Sequence, residues 1–221
     1  MIASMNSPMT SLRIFEIFHS LQGESSRVGL PTVFVRLTGC PLRCGYCDTE
    51  YAFHGGSTQT LEEILREVAQ YQAHYVCVTG GEPLAQKGCH DLLKALCDAG
   101  YDVSLETSGA MDISSVDPRV SVIMDIKTPG SGEESKNLWA NIPYLKAKDE
   151  VKFVLADRAD YDWAKQILDK YALTEKSPVL FSPVYKTLPP ADLARWVLED
   201  HLPVRMQLQL HKILWGEKPG V

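Results

Sequence analysis

Residues 32–47 read TVFVRLTGCPLRCGYC, a β-branched run that breaks into a loop carrying three cysteines. The run 32–37 has the makeup of a buried strand, and Gly39 and Pro41 mark where it ends. Runs of the same kind recur at 75–79, 102–106, 120–126, 150–155, 179–182 and 204–210. Helical patterns separate several of them. Residues 60–72 open with Thr60 and Glu63 at capping-box spacing, then place Leu61, Ile64, Leu65 and Val68 on one face. Residues 88–99 put Cys89, Leu92, Leu93, Leu96 and Cys97 on one stripe and stop at Gly100. Residues 160–171 and 190–201 are further amphipathic stretches, the second entered through Pro189-Pro190. Strands alternating with helices predict an α/β fold with a mostly parallel sheet. About seven strands are too few for a complete eight-unit barrel, so the predicted architecture is an incomplete, TIM-like barrel.

The 221 residues, 45% hydrophobic and 23% charged, suit one globular domain over 1–221. The first eleven residues, small and polar, predict a flexible start without the basic and apolar regions of a signal peptide. No stretch approaches the apolar length of a membrane span. A net charge of −6 argues against a nucleic-acid footprint. The expected setting is a reducing cytoplasm, where clustered cysteines read as metal ligands or catalytic groups and not as disulfides.

Cys40, Cys44 and Cys47 form Cys-x3-Cys-x2-Cys in a loop, which unlike a helix can point all three thiolates at one centre. Zinc wants four ligands, and His54 is the nearest candidate for the fourth. A four-iron cluster commonly takes four cysteines too; with three, one iron stays open to a ligand. Cys77 lies inside a predicted strand, and Cys89 and Cys97 on a helix stripe, where free cysteine packs as a small hydrophobe.

The cysteine spacing, with the aromatic Tyr46 before the third cysteine, resembles the radical S-adenosylmethionine superfamily. Gly80-Gly81-Glu82-Pro83, after the next strand, resembles that superfamily's GGEP motif. Within it, Phe15 to Glu24 (FEIFHSLQGE) and Cys47-Asp48-Thr49 resemble the opening and the CDT signature of the 7-carboxy-7-deazaguanine synthases. Glu106-Thr107-Ser108-Gly109, Asp125-Ile126-Lys127-Thr128-Pro129 and Gln209-Leu210-His211-Lys212 follow in that family's order. Two departures stand out: position 25 is Ser where the family often has Gly, and the cluster loop is the short form.

The resemblance implies a [4Fe–4S] cluster on Cys40, Cys44 and Cys47, S-adenosylmethionine as a recycled cofactor, and Mg2+ held by Thr49. It implies a lyase that abstracts hydrogen from C6 of 6-carboxy-5,6,7,8-tetrahydropterin, contracts the ring and releases ammonia. Leu21, Gln22, Gly23, Glu24, Arg36 and Thr79 would bind the pterin, with Arg36 on its carboxylate. A surface-facing strand arginine is the competing account of Arg36. Tyr46, Asp48, Gly81, Glu82, Thr107, Asp125, Ile126 and Lys127 would hold S-adenosylmethionine, together with Phe181, Ser182, Pro183 and Val184. His211 and Lys212 could close the mouth, and Trp139, Trp163, Trp196 and Trp215 read as packing. The implied partners are a reductant such as flavodoxin or ferredoxin and a second copy of the chain. Two other functions remain open on the sequence: a glycyl-radical-enzyme activase, and a non-catalytic zinc module on Cys40, Cys44, Cys47 and His54.

Overall fold

The run 32–37 forms the second strand of one curved sheet. The computed structural model describes residues 10–221. The strands are β1 (Ser11–Leu21), β2 (Pro31–Leu37), β3 (Ser57–Thr60), β4 (Tyr75–Gly80), β5 (Asp102–Thr107), β6 (Ser121–Asp125), β7 (Glu150–Leu155), β8 (Val179–Pro183) and β9 (Arg205–Met206). Their order across the sheet is β3-β1-β2-β4-β5-β6-β7-β8-β9. All neighbours from β2 to β9 run parallel, whereas β1 is antiparallel to both β2 and β3. The sheet does not close, so it is the expected incomplete barrel.

The helices are α1 (Leu61–Ala69), α2 (Cys89–Asp98), α3 (Arg158–Tyr171), α4 (Pro190–Glu199) and α5 (Leu210–Trp215). The Thr60–Glu63 capping box is formed at the start of α1, and α2 buries Cys89, Leu92, Leu93 and Leu96 as its stripe requires. Asp157 caps α3 by accepting the Asp160 N–H.

Parallel strands buried on both faces sort their side chains by the period of two. One set packs under the helices: Val33, Val35 and Leu37, then Val76 and Val78, Val103 and Leu105, Val122 and Met124, Val151, Phe153 and Leu155, Val179 and Phe181. The alternate positions Arg36, Thr79, Glu106, Asp125 and Lys152 face the hollow of the sheet. Phe181, expected at the cofactor, belongs to the first set: it is fully buried edge-to-face against Phe153 and Tyr161. Ile126 is likewise part of that apolar core.

Beneath the half-barrel, residues 22–27 cross the starting ends of the strands. Arg27 reaches Asp102 (2.5 Å) and Ser121 (3.3 Å), the Ser26 N–H donates to Glu150 (3.0 Å), and Ser25 exchanges two backbone bonds with the Gln207 amide (2.7 and 2.8 Å). Ser25 adopts φ +68°, the left-handed region that glycine enters without a steric cost.

Several expectations change. β1 and β3 come in addition to the expected strands. Residues 204–210 hold a strand only at Arg205–Met206, because the Leu210 N–H leaves the sheet to bond Gly23 O (2.9 Å) and begins α5. Of the expected flexible start, residues 1–9 lie outside the described residues, and Ser11 is already in β1. Trp139, Trp163 and Trp196 pack against the core, but Trp215 is 39% exposed. Phe181→Ala is expected to lower unfolding free energy by about 3–5 kcal/mol, the usual cost of emptying a buried phenylalanine site. Thermal or denaturant unfolding measures it, with unchanged S-adenosylmethionine affinity per folded molecule.

Candidate active site

The cysteine loop leaves β2 and is pinned from several sides. The Gly39 N–H donates to Ala52 O (3.0 Å), the Gly45 N–H to Ser131 O (3.0 Å), and the Arg43 N–H to Glu133 (2.6 Å). The Tyr46 hydroxyl donates to Val154 O (3.0 Å) and lies 3.3 Å from Thr128 Oγ1; burial pushes its phenol up to about 12, against the opposing effect of Thr128. Thr128 is held in turn by Asp160 (2.9 Å).

Cys40, Cys44 and Cys47 are free, half-buried, and line one cavity. Burial raises all three thiol pKa values, and the Lys127 ammonium works against that rise at Cys40 and Cys44. Among the described residues no trio of His, Cys, Asp or Glu converges closely enough for one metal ion. This arrangement does not suit a single zinc on Cys40, Cys44, Cys47 and His54. Three free thiols on one cavity are the donor set that a four-iron cluster with one open iron takes.

The glycine-rich turn after β4 presses onto this loop. A Cβ on Gly81 would lie 2.2 Å from Gly39 O and 2.7 Å from Cys40 Cβ, so a bare backbone is required. The Glu82 N–H donates to Gly39 O (2.8 Å), tying the two loops together. The Glu82 carboxylate is fully buried and occupied by the protein, accepting from Thr107 Oγ1 (2.9 Å), the Ser108 N–H (2.6 Å) and the Leu84 N–H (2.9 Å).

The cavity measures about 240 Å³ and runs from the cysteines to the strap at 22–24. Its floor carries paired charges: Glu24 to Lys152 at 2.5 Å, Lys152 to Asp125 at 3.5 Å, and Asp125 to Lys127 at 2.9 Å. Burial disfavours both ammonium groups, yet the surrounding negative charge outweighs it, Asp125 first at both and Glu24 and Glu106 as well at Lys152, and holds Lys127 and Lys152 above the usual lysine range. Burial would also raise Asp125, but Lys127 and Lys152 bring its carboxyl below the usual range. Glu106 accepts from Thr79 (2.9 Å) and Gln22 (3.3 Å). Arg36 faces inward, not to solvent: its Nε donates to Glu16 (2.8 Å), and its guanidinium lies against the Phe18 and Tyr51 rings.

Helix α5 closes the rim. Lys212 and Gln209 bond Asp48 at 2.8 and 3.2 Å. Burial opposes ionisation of Asp48, but Lys212 overrides it and holds the carboxyl well below the ordinary range. Thr49 Oγ1 donates to the other Asp48 oxygen (2.9 Å). His211 lies directly on Gly23, where any Cβ would meet the ring, and burial lowers its pKa.

The cavity thus gathers Leu21, Gln22, Gly23, Glu24, Arg36 and Thr79 with the three cysteines. It also gathers Tyr46, Asp48, Thr49, Gly81, Thr107, Asp125, Lys127 and Val184. Glu82, Ile126, Phe181, Ser182 and Pro183 do not line it; Pro183 borders a neighbouring pocket. Lys152 and the stacked pair Phe18–Phe34 line the cavity without having been singled out in the sequence. For Lys152 the signal was available: a lone cation inside the apolar run EVKFVL at an alternate position.

Residues 34–171 match the model of the radical SAM superfamily. A curated 7-carboxy-7-deazaguanine synthase from Chlorobaculum tepidum is 49% identical, covering 93% of this chain and 94% of the relative. Its counterpart from Koribacter versatilis is 43% identical over 95% of this chain and 100% of the relative. The chain belongs to the 7-carboxy-7-deazaguanine synthase family of the radical SAM superfamily. Among solved structures, QueE from Escherichia coli shares the fold with a TM-score of 0.74 at 22% identity, covering 91% of this chain and 95% of that one. SuiB from Streptococcus suis, with S-adenosylmethionine bound, overlays 77% of this chain and 45% of its own length with a TM-score of 0.56.

Membership of the radical SAM superfamily brings a [4Fe–4S] cluster and S-adenosylmethionine. The residues fit both groups. Three free thiols face the cavity, and Asp125 Oδ1 is buried beside it without a hydrogen-bond partner. The radical SAM cluster loop depends on the bare Gly81 backbone. Gly81→Ala is expected to displace Cys40 and lower bound iron after anaerobic reconstitution. Iron analysis and the visible absorbance of the cluster check this, against an unchanged far-ultraviolet circular dichroism spectrum.

Proposed function

We propose that this radical SAM synthase converts 6-carboxy-5,6,7,8-tetrahydropterin to 7-carboxy-7-deazaguanine, acting as a lyase that expels ammonia within one catalytic domain. A single observation carries the reading: one cavity joins the cysteine loop to the strap Leu21–Glu24 and to Arg36. When bound, the cluster and S-adenosylmethionine supply the radical that takes hydrogen from the substrate.

The chain's own groups bind and orient. The strap offers Gln22 and Glu24 to the polar edge of the pterin, with Thr79 beside them on β4. The Phe18–Phe34 pair, stacked with centroids 5.0 Å apart, gives an aromatic wall for a flat ring. Arg36 presents a guanidinium to the substrate carboxylate, for which a planar fork is suited. On the other side Lys127 serves the methionine carboxylate, and Asp125 the ribose hydroxyls. Phe181, Ser182 and Pro183 contribute by backbone and packing, since Phe181 faces the helices. Thr49, lining the cavity two residues after the third cysteine, offers a hydroxyl oxygen, the donor type that Mg2+ takes together with substrate oxygens and water. Helix α5, clasped to Asp48 and Gly23, shields the radical from water.

A flavodoxin or ferredoxin fits the need for a one-electron donor, the working form is a homodimer, and the setting is cytoplasmic. Among the described residues no helix is long and apolar enough to cross a membrane.

Anaerobic incubation of the reconstituted enzyme with the tetrahydropterin, S-adenosylmethionine, reductant and Mg2+ should yield 7-carboxy-7-deazaguanine, read by mass spectrometry. Cleavage of S-adenosylmethionine without that product refutes the substrate assignment. Thr49→Ala should raise the Mg2+ concentration for half-maximal rate by about tenfold or more, the scale of disturbing a metal's ligand shell. Unchanged Mg2+ dependence refutes the ligand.

A further inference from the structure

Lys152 has no place in the motifs, yet it lines the cavity. It projects inward from β7, with its side chain 10% exposed, between a carboxylate on the strap and one at the end of β6. Together the groups make a row of alternating charge: Glu24, Lys152, Asp125, Lys127. The two outer links are short, 2.5 Å and 2.9 Å, and the middle one is long, 3.5 Å. Each carboxylate gives one oxygen to a neighbouring lysine and keeps the other, Glu24 Oε1 and Asp125 Oδ1, without a hydrogen bond. A buried oxygen in that state is costly unless a ligand or a shifted partner completes it.

We propose that Lys152 is a positioning residue that couples the two ligand subsites, through the alternating row Glu24–Lys152–Asp125–Lys127. The proposal rests on the reading that Glu24 meets the pterin and Lys127 the carboxylate of S-adenosylmethionine. N–H donors of the pterin arriving on Glu24 weaken its hold on Lys152. The freed ammonium moves toward Asp125 Oδ1, closing the long middle link. Asp125 then holds Lys127 less tightly, and Lys127 turns to the incoming carboxylate. The same sequence runs backward when S-adenosylmethionine binds first. An alternating row with a donor at its acidic end and an anion at its basic end therefore gives positive coupling. By linkage, each ligand tightens the other by the same factor. Low dielectric makes these exchanges strong, because water does not screen the charges.

Binding at equilibrium tests this without turnover. The cluster-loaded enzyme is kept oxidised, and the affinity for S-adenosylmethionine is measured by equilibrium dialysis with and without saturating 6-carboxy-5,6,7,8-tetrahydropterin. The wild-type chain is expected to bind S-adenosylmethionine about fivefold or more tightly with the pterin present, within the usual range of coupling. In Lys152→Met the factor should fall to about one, while each ligand still binds alone. Lys152→Arg, which keeps the cation, should retain part of it. If Lys152→Met does not fold, Lys152→Gln, which removes the charge but keeps a polar side chain beside Glu24, should give the same loss.

A wild-type factor of about one, or an undiminished factor in the neutral variant, overturns the coupling while leaving the pterin assignment intact. Failure of the wild-type chain to bind the pterin at all overturns both.

Discussion

The period of two in a parallel sheet buried on both sides is the constraint from which the rest follows. Every second residue of β2 and β4 to β8 must satisfy helices, and every other one must satisfy a hollow. Helices demand Val, Leu, Ile and Phe, as at Val151, Phe153 and Leu155. The hollow receives Arg36, Thr79, Glu106, Asp125 and Lys152, so polar chemistry is placed at the centre of the molecule by strand geometry.

Charges in such a place persist only in company. Removing an ammonium or carboxylate from water costs several kcal/mol after relaxation, roughly, unless a partner stands beside it. The cavity meets that cost with neighbouring opposites: Lys152 beside Glu24 and Asp125, Lys127 beside Asp125, and Arg36 beside Glu16. The pairs are incomplete, leaving Glu24 Oε1 and Asp125 Oδ1 free of hydrogen bonds. Polar groups left open inside a protein mark where a ligand belongs.

Close backbone approach does the remaining work. Gly81 lies against Gly39 and Cys40, and Gly23 against His211, so one glycine brings the turn after β4 onto the cysteine loop and the other brings the strap onto α5. The strap at 22–27 links the starting ends of β5, β6 and β7 and closes the half-barrel from below. Helix α5 answers it at the rim through Asp48.

The resemblance to the synthase family implied most of the cavity lining, and the sequence patterns by themselves determined the alternation of strands and helices, the parallel sheet and the cysteine loop. Those features have local causes: β-branched runs, helical stripes, caps, and ligand spacing in a single loop. β3, reading STQT, was not legible because backbone pairing with β1 makes it a strand without an apolar signal. The end of 204–210 was misread because its alternation continues while Gly23 draws the chain out of the sheet. Tertiary structure alone decided that Phe181 turns to the helices, that Glu82 spends its carboxylate on Thr107 and Ser108, and that Lys152 meets Glu24 from 128 residues away. Such facts depend on which face of a strand a residue occupies and on what the fold sets opposite it. Spacing along the chain carries the first only by parity, and the second not at all.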